Sequence, residues 1–291
     1  MWFILSLFFA LWSSVNVILV KKLAGKLSIR VLLTFNFIFS IPFYLIIIFF
    51  TGGFPKAATN FYLLVSTSSL IDFLAFNAST TAIKISPISL ISPISSFTPI
   101  FTSIIAVLTL KEVPSFLHLL GIAIIVLGAY ILNLSDFNKG FLKPFKDLFS
   151  NKGVQLALLS TFLWSITPIF QKQAILSTNP ASAIVAAFAG TIGNAILFLL
   201  FSVDKVKKEF KIVLENIKIF LIMGLFGALG SFAAFIAFQQ AQVGLVTSVF
   251  KLSILFSIIL GAIFFKEQKI KERFIAGLIM LTGVVIITTF L

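Results

Sequence analysis

Apolar side chains run along this chain in ten stretches of 18 to 24 residues, separated by short polar segments. A helix needs about 20 apolar residues to cross a bilayer, and inside lipid each segment must satisfy its own backbone hydrogen bonds. The pattern therefore predicts an all-α integral membrane protein with ten transmembrane helices. The predicted spans are residues 2–20, 31–50, 61–83, 88–110, 113–132, 153–171, 180–203, 219–238, 243–265 and 274–291.

The composition excludes an ordinary soluble domain, because 59% of the residues are hydrophobic and only 11% are charged. Cysteine is absent, which excludes disulfides, thiol catalysis and cysteine metal sites. The chain also lacks the Gly-Lys-Ser/Thr loop that cradles ATP phosphates. We therefore expect no cofactor, no metal and no ATP site, and no enzymatic activity of the kinds that need clustered acid, base or metal ligands.

Lysine and arginine alternate sharply between the loops. The loops after spans 1, 3, 5, 7 and 9 hold 18 of these residues, whereas the loops after spans 2, 4, 6 and 8 hold 3. By the positive-inside rule the odd-numbered loops face the cytoplasm, and both termini face outward. The net charge of +13 thus indicates topology rather than nucleic acid as a partner. Lysines follow the first span and none precedes it, so we expect a retained anchor and not a cleaved signal peptide.

Two short motifs recur in the same order. A Trp-Ser pair begins at Trp12 and again at Trp164, 152 residues later, and a Lys-Glu pair begins at Lys111 and again at Lys266, 155 residues later. We therefore predict two five-helix repeats, residues 1–134 and 153–291, joined by a cytoplasmic linker of residues 135–152. Five is an odd number, so the second repeat enters the membrane in the opposite sense. Inverted repeats are typical of secondary transporters, whose solute site lies near the bilayer midplane.

The motifs resemble those of a known family. Trp12-Ser13-Ser14-Val15-Asn16 with Lys21-Lys22 resembles the opening of an EamA domain of the drug/metabolite transporter (DMT) superfamily, as does Leu163-Trp164-Ser165 in the second half. Each Lys-Glu pair, followed by a glycine-bearing span, resembles the close of that domain. The chain departs from the family pattern where serine replaces glycine after each tryptophan and where the fourth span has three prolines. The resemblance implies a transporter of small metabolites in the plasma membrane of a prokaryote.

Two charged residues, Asp72 and Lys251, lie well inside predicted spans 3 and 9. A charge in the bilayer core costs several kcal/mol unless it faces protein or water, so both are candidates for a solute cavity. In related sugar-phosphate and nucleotide-sugar transporters a lysine on the ninth span often binds an anionic solute, which implies that role for Lys251. Snorkelling or an ion pair with Asp72 is the alternative for Lys251. Proton coupling and a structural role both stay open for Asp72.

Other polar and aromatic side chains complete the candidate cavity. The prolines of span 4 should bend or break its helix. Serines on one face of that span either line a polar path or bond back to carbonyls of their own helix. Asn16 either faces the cavity or joins helices, and Trp12 and Trp164 either wall the cavity or anchor spans at the interface. The span 4 candidates are Ser89, Ser92 and Ser96.

The cavity is expected between spans 1, 3, 4, 6, 8 and 9, with spans 5 and 10 at the periphery. We expect a small polar metabolite as the solute, anionic if Lys251 binds it, moved by alternating access with proton coupling or exchange. A lipid-linked sugar flippase and an intramembrane lipid-modifying enzyme are the alternative functions. The expected partners are the solute and membrane lipid, and the two repeats allow one chain to complete the cavity by itself.

Overall fold

The computed structural model describes residues 1–86, 88–133, 142–146, 150–265 and 270–289, and these residues are almost entirely helical. The first part holds α1 (Trp2–Ala24), α2 (Ile29–Phe50), α3 (Thr59–Ile85), α4 (Ile88–Ser95), α5 (Thr98–Thr109), α6 (Phe116–Asn133) and α7 (Lys143–Lys146). The second holds α8 (Lys152–Leu176), α9 (Ala183–Leu200), α10 (Val203–Glu215), α11 (Ile217–Gln240), α12 (Val243–Phe250), α13 (Leu252–Phe265) and α14 (Ile270–Thr289). Most of the predicted linker and the Lys266-Glu267 pair lie outside the described residues.

All ten predicted apolar runs fall on helices. Six of the described helices, α1, α2, α3, α8, α9 and α11, are long and apolar enough to cross a membrane. Shorter apolar helices cover the predicted spans 4, 5, 9 and 10. The chain is therefore an all-α membrane protein, and the number of ten crossings stays a prediction.

Helix α10 differs from the sequence prediction, which gives a loop with five lysines after span 7. The segment instead folds as an amphipathic helix that packs Val206 and Val213 against the ends of α1, α2 and α11. The Glu209 carboxylate accepts a hydrogen bond of 2.8 Å from the N–H of Ser28, the residue that precedes α2. These two contacts explain why the polar segment is ordered as a helix.

The helices form two compact units. Unit 1 contains residues 1–73 and 170–240, and unit 2 contains residues 74–169 and 241–291. Each unit therefore draws helices from both predicted repeats, and the division passes through α3 and α8. The compact units and the sequence repeats are different partitions of the same chain.

Unit 1 is built on close contacts of α11 with α1 and α2, and of α2 with α9. A methyl group built on Gly224 of α11 would lie 2.5 Å from the Phe39 carbonyl carbon of α2. One built on Gly230 would lie 2.5 Å from Cδ1 of Trp12 on α1. Glycine thus permits these helices to approach at backbone distance, as small residues commonly do inside membranes.

Unit 2 holds α6 and α14 side by side. A methyl group on Gly121 would lie 2.9 Å from the Gly283 carbonyl oxygen, and one on Gly283 would lie 2.7 Å from the Gly121 carbonyl oxygen. In the same unit α12 packs against α5, where Gly244 abuts the Ser103 hydroxyl. In both helix pairs, glycine therefore permits the two helices to approach closely.

Within each unit the loop contacts respect the predicted alternation of sides. In unit 1, β1 (Lys56–Ala57) after span 2 pairs antiparallel with β2 (Thr178–Asn179) after span 6. In unit 2, the Ser86 hydroxyl after span 3 donates to Asn151 Oδ1 before span 6, at 2.7 Å. Even-numbered loops meet even-numbered loops and odd meet odd in these contacts, as a chain that alternates across a membrane requires.

Cysteine labelling tests which side is cytoplasmic. Lys207 on α10 and Lys56 on β1 are both exposed and lie in predicted cytoplasmic and outer loops, respectively. We expect an impermeant maleimide on intact cells to label Lys56→Cys and to leave Lys207→Cys unlabelled until the membrane is permeabilised. The natural chain has no cysteine, so neither variant has a background signal. The opposite pattern would reverse the topology.

Candidate functional site

The predicted fourth span is interrupted near its middle. Helix α4 ends at Ser95 and α5 begins at Thr98, with Pro99 in its first turn. At the interruption the N–H of Ser96 donates to the Pro93 carbonyl at 3.2 Å, three residues back instead of four. The interruption confirms the prediction that prolines break this helix. Proline cannot donate a helical hydrogen bond, and its ring clashes with the preceding turn.

A second interruption lies in the ninth span, which the sequence predicted as one continuous run. Lys251 separates α12 from α13, and its N–H donates to the Ser248 carbonyl at 3.1 Å, again three residues back. The spacing of 155 residues that relates the two Lys-Glu pairs also relates Ser96 to Lys251 and Pro93 to Ser248. No proline or glycine marks the second break, so only its match to span 4 signals it.

The Lys251 side chain joins the two interruptions. Its Nζ donates to the Ser95 carbonyl oxygen at 2.7 Å and to Thr98 Oγ1 at 3.2 Å. The side chain is half-buried, and its ammonium lies beside the middle of predicted span 4. Both contacts lie at the break in span 4, and they hold the ammonium away from the end of its own span.

Within the described part of the chain, the two contacts of Lys251 leave its positive charge available. Both acceptors are neutral, so neither cancels the positive charge of the ammonium. An ammonium has three N–H donors, and the two contacts use two of them. A partly desolvated cation of this kind favours an anionic group as its further partner. The arrangement can therefore bind a carboxylate or phosphate oxygen.

Glu112 holds the other end of α12. Its Oε2 accepts a hydrogen bond of 2.8 Å from the N–H of Val243, the first residue of that helix. Carboxylates stabilise helix N-termini because the first N–H groups lack helical acceptors and carry partial positive charge. In the sequence Glu112 stands out only as part of a repeated Lys-Glu motif. Its distance in sequence from Val243, 131 residues, hides the contact.

Removal of this cap should loosen α12. We expect Glu112→Ala to lower the free energy of unfolding by about 0.5–2 kcal/mol, the usual cost of a lost N-cap. Glu112→Gln should cost less, because an amide oxygen can still accept from Val243. Thermal unfolding in detergent measures both variants, with exposed Glu215→Ala on α10 as the control. Equal melting temperatures for Glu112→Ala and the natural protein would show that the cap carries no stability.

Asp72 lies in unit 1, where α3 packs against α9. Asn194 Nδ2 of α9 donates to Asp72 Oδ2 at 3.5 Å, and one turn earlier the Ser69 hydroxyl donates to the Gly190 carbonyl at 3.4 Å. Asn194 is buried, and its Oδ1 has no hydrogen-bond partner within the described part of the chain. Asn194 is not among the sequence-predicted site residues, and its contact gives Asp72 a structural neighbour on span 7.

Trp12 and Asn16 both belong to α1 in unit 1. The Trp12 indole is buried and stacks on Phe226 of α11, with ring centroids 5.1 Å apart, beside Gly230. Asn16 Oδ1 is buried and lacks a hydrogen-bond partner among the residues described. Trp12 therefore packs between helices, whereas Asn16 has a polar atom that packing alone leaves unsatisfied.

The remaining candidates divide between the two units. Ser96 is fully buried in the interruption of unit 2, and Trp164 is half-buried on α8 in the same unit. The side chains of Ser89 and Ser92 lie outside the described residues. Within unit 2 the structure thus brings Lys251 to the residues that flank Ser96. A cavity shared with the unit 1 candidates Asp72, Asn16 and Trp12 stays a prediction.

The family comparison agrees with the repeated motifs. The model described as the EamA-like transporter family matches residues 1–134 and 151–289. The chain belongs to the EamA-like transporter family. The resemblance to two EamA domains is thereby confirmed, and the chain is an integral membrane protein of a transporter family.

Two individual proteins add to the family match. An uncharacterized transporter of Methanothermobacter thermautotrophicus is 26% identical over 193 residues, which cover 65% of this chain and 53% of the relative. The chain thus spans about half the length of that relative. A solved structure titled "Crystal structure of protein" aligns with 100% of this chain and 99% of its own, with a TM-score of 0.77 and 13% identity. That similarity shows a common fold.

Proposed function

We propose that this transporter moves a small polar metabolite with an anionic group across the plasma membrane. The observation that carries the proposal is the Lys251 ammonium, held by two neutral acceptors between two interrupted helices. Interrupted helices near the midplane are where secondary transporters commonly bind solutes and ions. An unneutralised ion there costs several kcal/mol, which a solute carboxylate or phosphate would offset.

Transport would proceed by alternating access between two inverted repeats, residues 1–134 and 153–291, joined by a cytoplasmic linker. The repeated motifs and the matched interruptions at Ser96 and Lys251 support this repeat. The absence of an ATP-binding loop from the sequence favours transport driven by a gradient, through proton coupling or solute exchange. Asp72 is the candidate proton carrier, because a carboxylate inside a span can be neutral or charged.

Uptake by reconstituted protein tests the proposal. Proteoliposomes would be screened with radiolabelled carboxylates, phosphate esters, neutral sugars and amines, each with and without a proton gradient and with internal unlabelled solute. We expect saturable uptake of one or more anionic compounds and little uptake of amines. Uptake of neutral or cationic solutes alone would remove the anionic assignment, and no uptake of any class would count against a metabolite transporter.

A further inference from the structure

Of the two acceptors that Lys251 contacts, the Ser95 carbonyl oxygen is the nearer, at 2.7 Å against 3.2 Å for Thr98 Oγ1. In an uninterrupted helix this oxygen would accept the N–H of residue 99, four positions later. Residue 99 is proline, which has no N–H. The oxygen instead accepts the Thr98 hydroxyl at 2.8 Å and Lys251 Nζ at 2.7 Å. The Ser95 carbonyl oxygen can therefore accept from Lys251 because Pro99, which lies on a different span from the lysine, has no N–H to occupy it.

We propose that Pro99 and Thr98 are positioning residues that hold the Lys251 ammonium for an anionic oxygen of the solute. The inference rests on the proposed function, since it assigns supporting residues to the same site. Pro99 keeps a helical N–H away from the Ser95 carbonyl, and Thr98 contributes both a hydroxyl acceptor for Nζ and a donor to that carbonyl. Together they fix Nζ at one place along span 4.

The geometry also narrows the solute chemistry. Two donors of the Lys251 ammonium are held by residues that the structure describes, and beyond these contacts it has a single further N–H, so it binds one solute oxygen at a time. A guanidinium would offer a planar fork that matches both oxygens of a carboxylate. The site is therefore suited to one compact oxyanion, such as a carboxylate or phosphate monoester, bound through one oxygen.

Two proline variants distinguish a change in the Lys251 contact from the general gain in helix stability that follows when a proline is replaced. Pro99→Ala supplies an N–H that competes with Nζ for the Ser95 carbonyl. Pro93→Ala, in α4, supplies an N–H to the carbonyl of residue 89, which the Lys251 contacts do not involve. Both changes replace a proline by a good helix former. Only Pro99→Ala alters a carbonyl that accepts a hydrogen bond from Lys251.

The first measurement does not depend on a transported solute. Purified protein would be trace-acetylated with acetic anhydride, and acetylation at Lys251 would be compared by mass spectrometry with that at exposed Lys218. We expect Pro99→Ala to raise the relative acetylation rate of Lys251 about tenfold. The ammonium form loses its hydrogen bond to the Ser95 carbonyl, which favours the uncharged amine that reacts with the anhydride. Pro93→Ala should leave the rate unchanged. Equal rates in both variants would overturn the inference.

The second measurement uses the anionic compound with the highest uptake in the proteoliposome screen. We expect Pro99→Ala and Thr98→Val to raise its KM about tenfold with a smaller change in kcat, and Thr98→Ser to restore KM because it keeps the hydroxyl. A fall in kcat at constant KM would contradict a positioning role. If no compound is transported, the proposed function fails, while the acetylation rates of the two proline variants still decide whether Pro99 holds the lysine.

Discussion

Replacement of Lys251 by alanine should reduce uptake of the anionic solute by about a hundredfold or more. Truncation of one partner in a buried, hydrogen-bonded charge pair commonly costs about 2–5 kcal/mol. The variant should still fold, because the Ser95 carbonyl retains the Thr98 hydroxyl as a donor and alanine favours a helix. Initial uptake rates in proteoliposomes, normalised to reconstituted protein, measure the effect.

Two further variants make this result specific. Lys251→Arg keeps the charge but replaces a compact ammonium by a planar fork, so we expect its uptake to fall as well. Lys218→Ala removes an exposed lysine at the start of α11 and should leave uptake unchanged. Undiminished uptake by Lys251→Ala would remove both the lysine and the anionic solute from the proposed mechanism.

The helical runs were predictable from the sequence because lipid imposes a simple rule on every span. A spanning segment must be long, apolar and internally hydrogen-bonded, and these properties are visible residue by residue. The break in span 4 was predictable for the same reason, since proline acts on its own helix. Helix α10 was missed because its stability comes from packing of Val206 and Val213 on other helices. The many lysines of this segment make it resemble a polar loop in the sequence.

The candidate site was predictable only in part. A charge inside an apolar run identifies Lys251 by itself, whereas its partner Ser95 lies 156 positions away and contributes a backbone oxygen. The proline four residues after Ser95 is the one local signal for that acceptor. Glu112 and Asn194 were similarly hidden, because their contacts join distant spans and the sequence alone does not set which helices are neighbours.

The composition of the two units illustrates the same limit. Repeated motifs divide the chain in the middle, but contacts group residues 1–73 with 170–240 and residues 74–169 with 241–291. Motif spacing reports the internal repeat of the sequence, while packing depends on which faces fit together. In unit 1 that fit relies on glycines of α11, whose neighbours Phe39 and Trp12 no sequence pattern identified.

Substitution of Gly224 should therefore destabilise unit 1 strongly. A methyl group at this position of α11 would lie 2.5 Å from the Phe39 carbonyl carbon and 2.9 Å from its Cβ. Backbone atoms of a packed helix cannot move aside as a flexible side chain can, so α2 and α11 must separate. Overpacking of this kind typically costs about 1–3 kcal/mol, and Gly224→Leu should cost more than Gly224→Ala.

Gly190→Ala is the matched control, because it is the same substitution in a helix of the same unit. A methyl group on Gly190 of α9 would have no atom within 4 Å, so alanine adds only its better helix propensity, worth up to about 1 kcal/mol. The melting temperature in detergent should therefore fall for Gly224→Ala and rise slightly for Gly190→Ala. If both variants melt at higher temperatures, helix propensity outweighs packing, and the close approach of α11 to α2 at Phe39 is wrong.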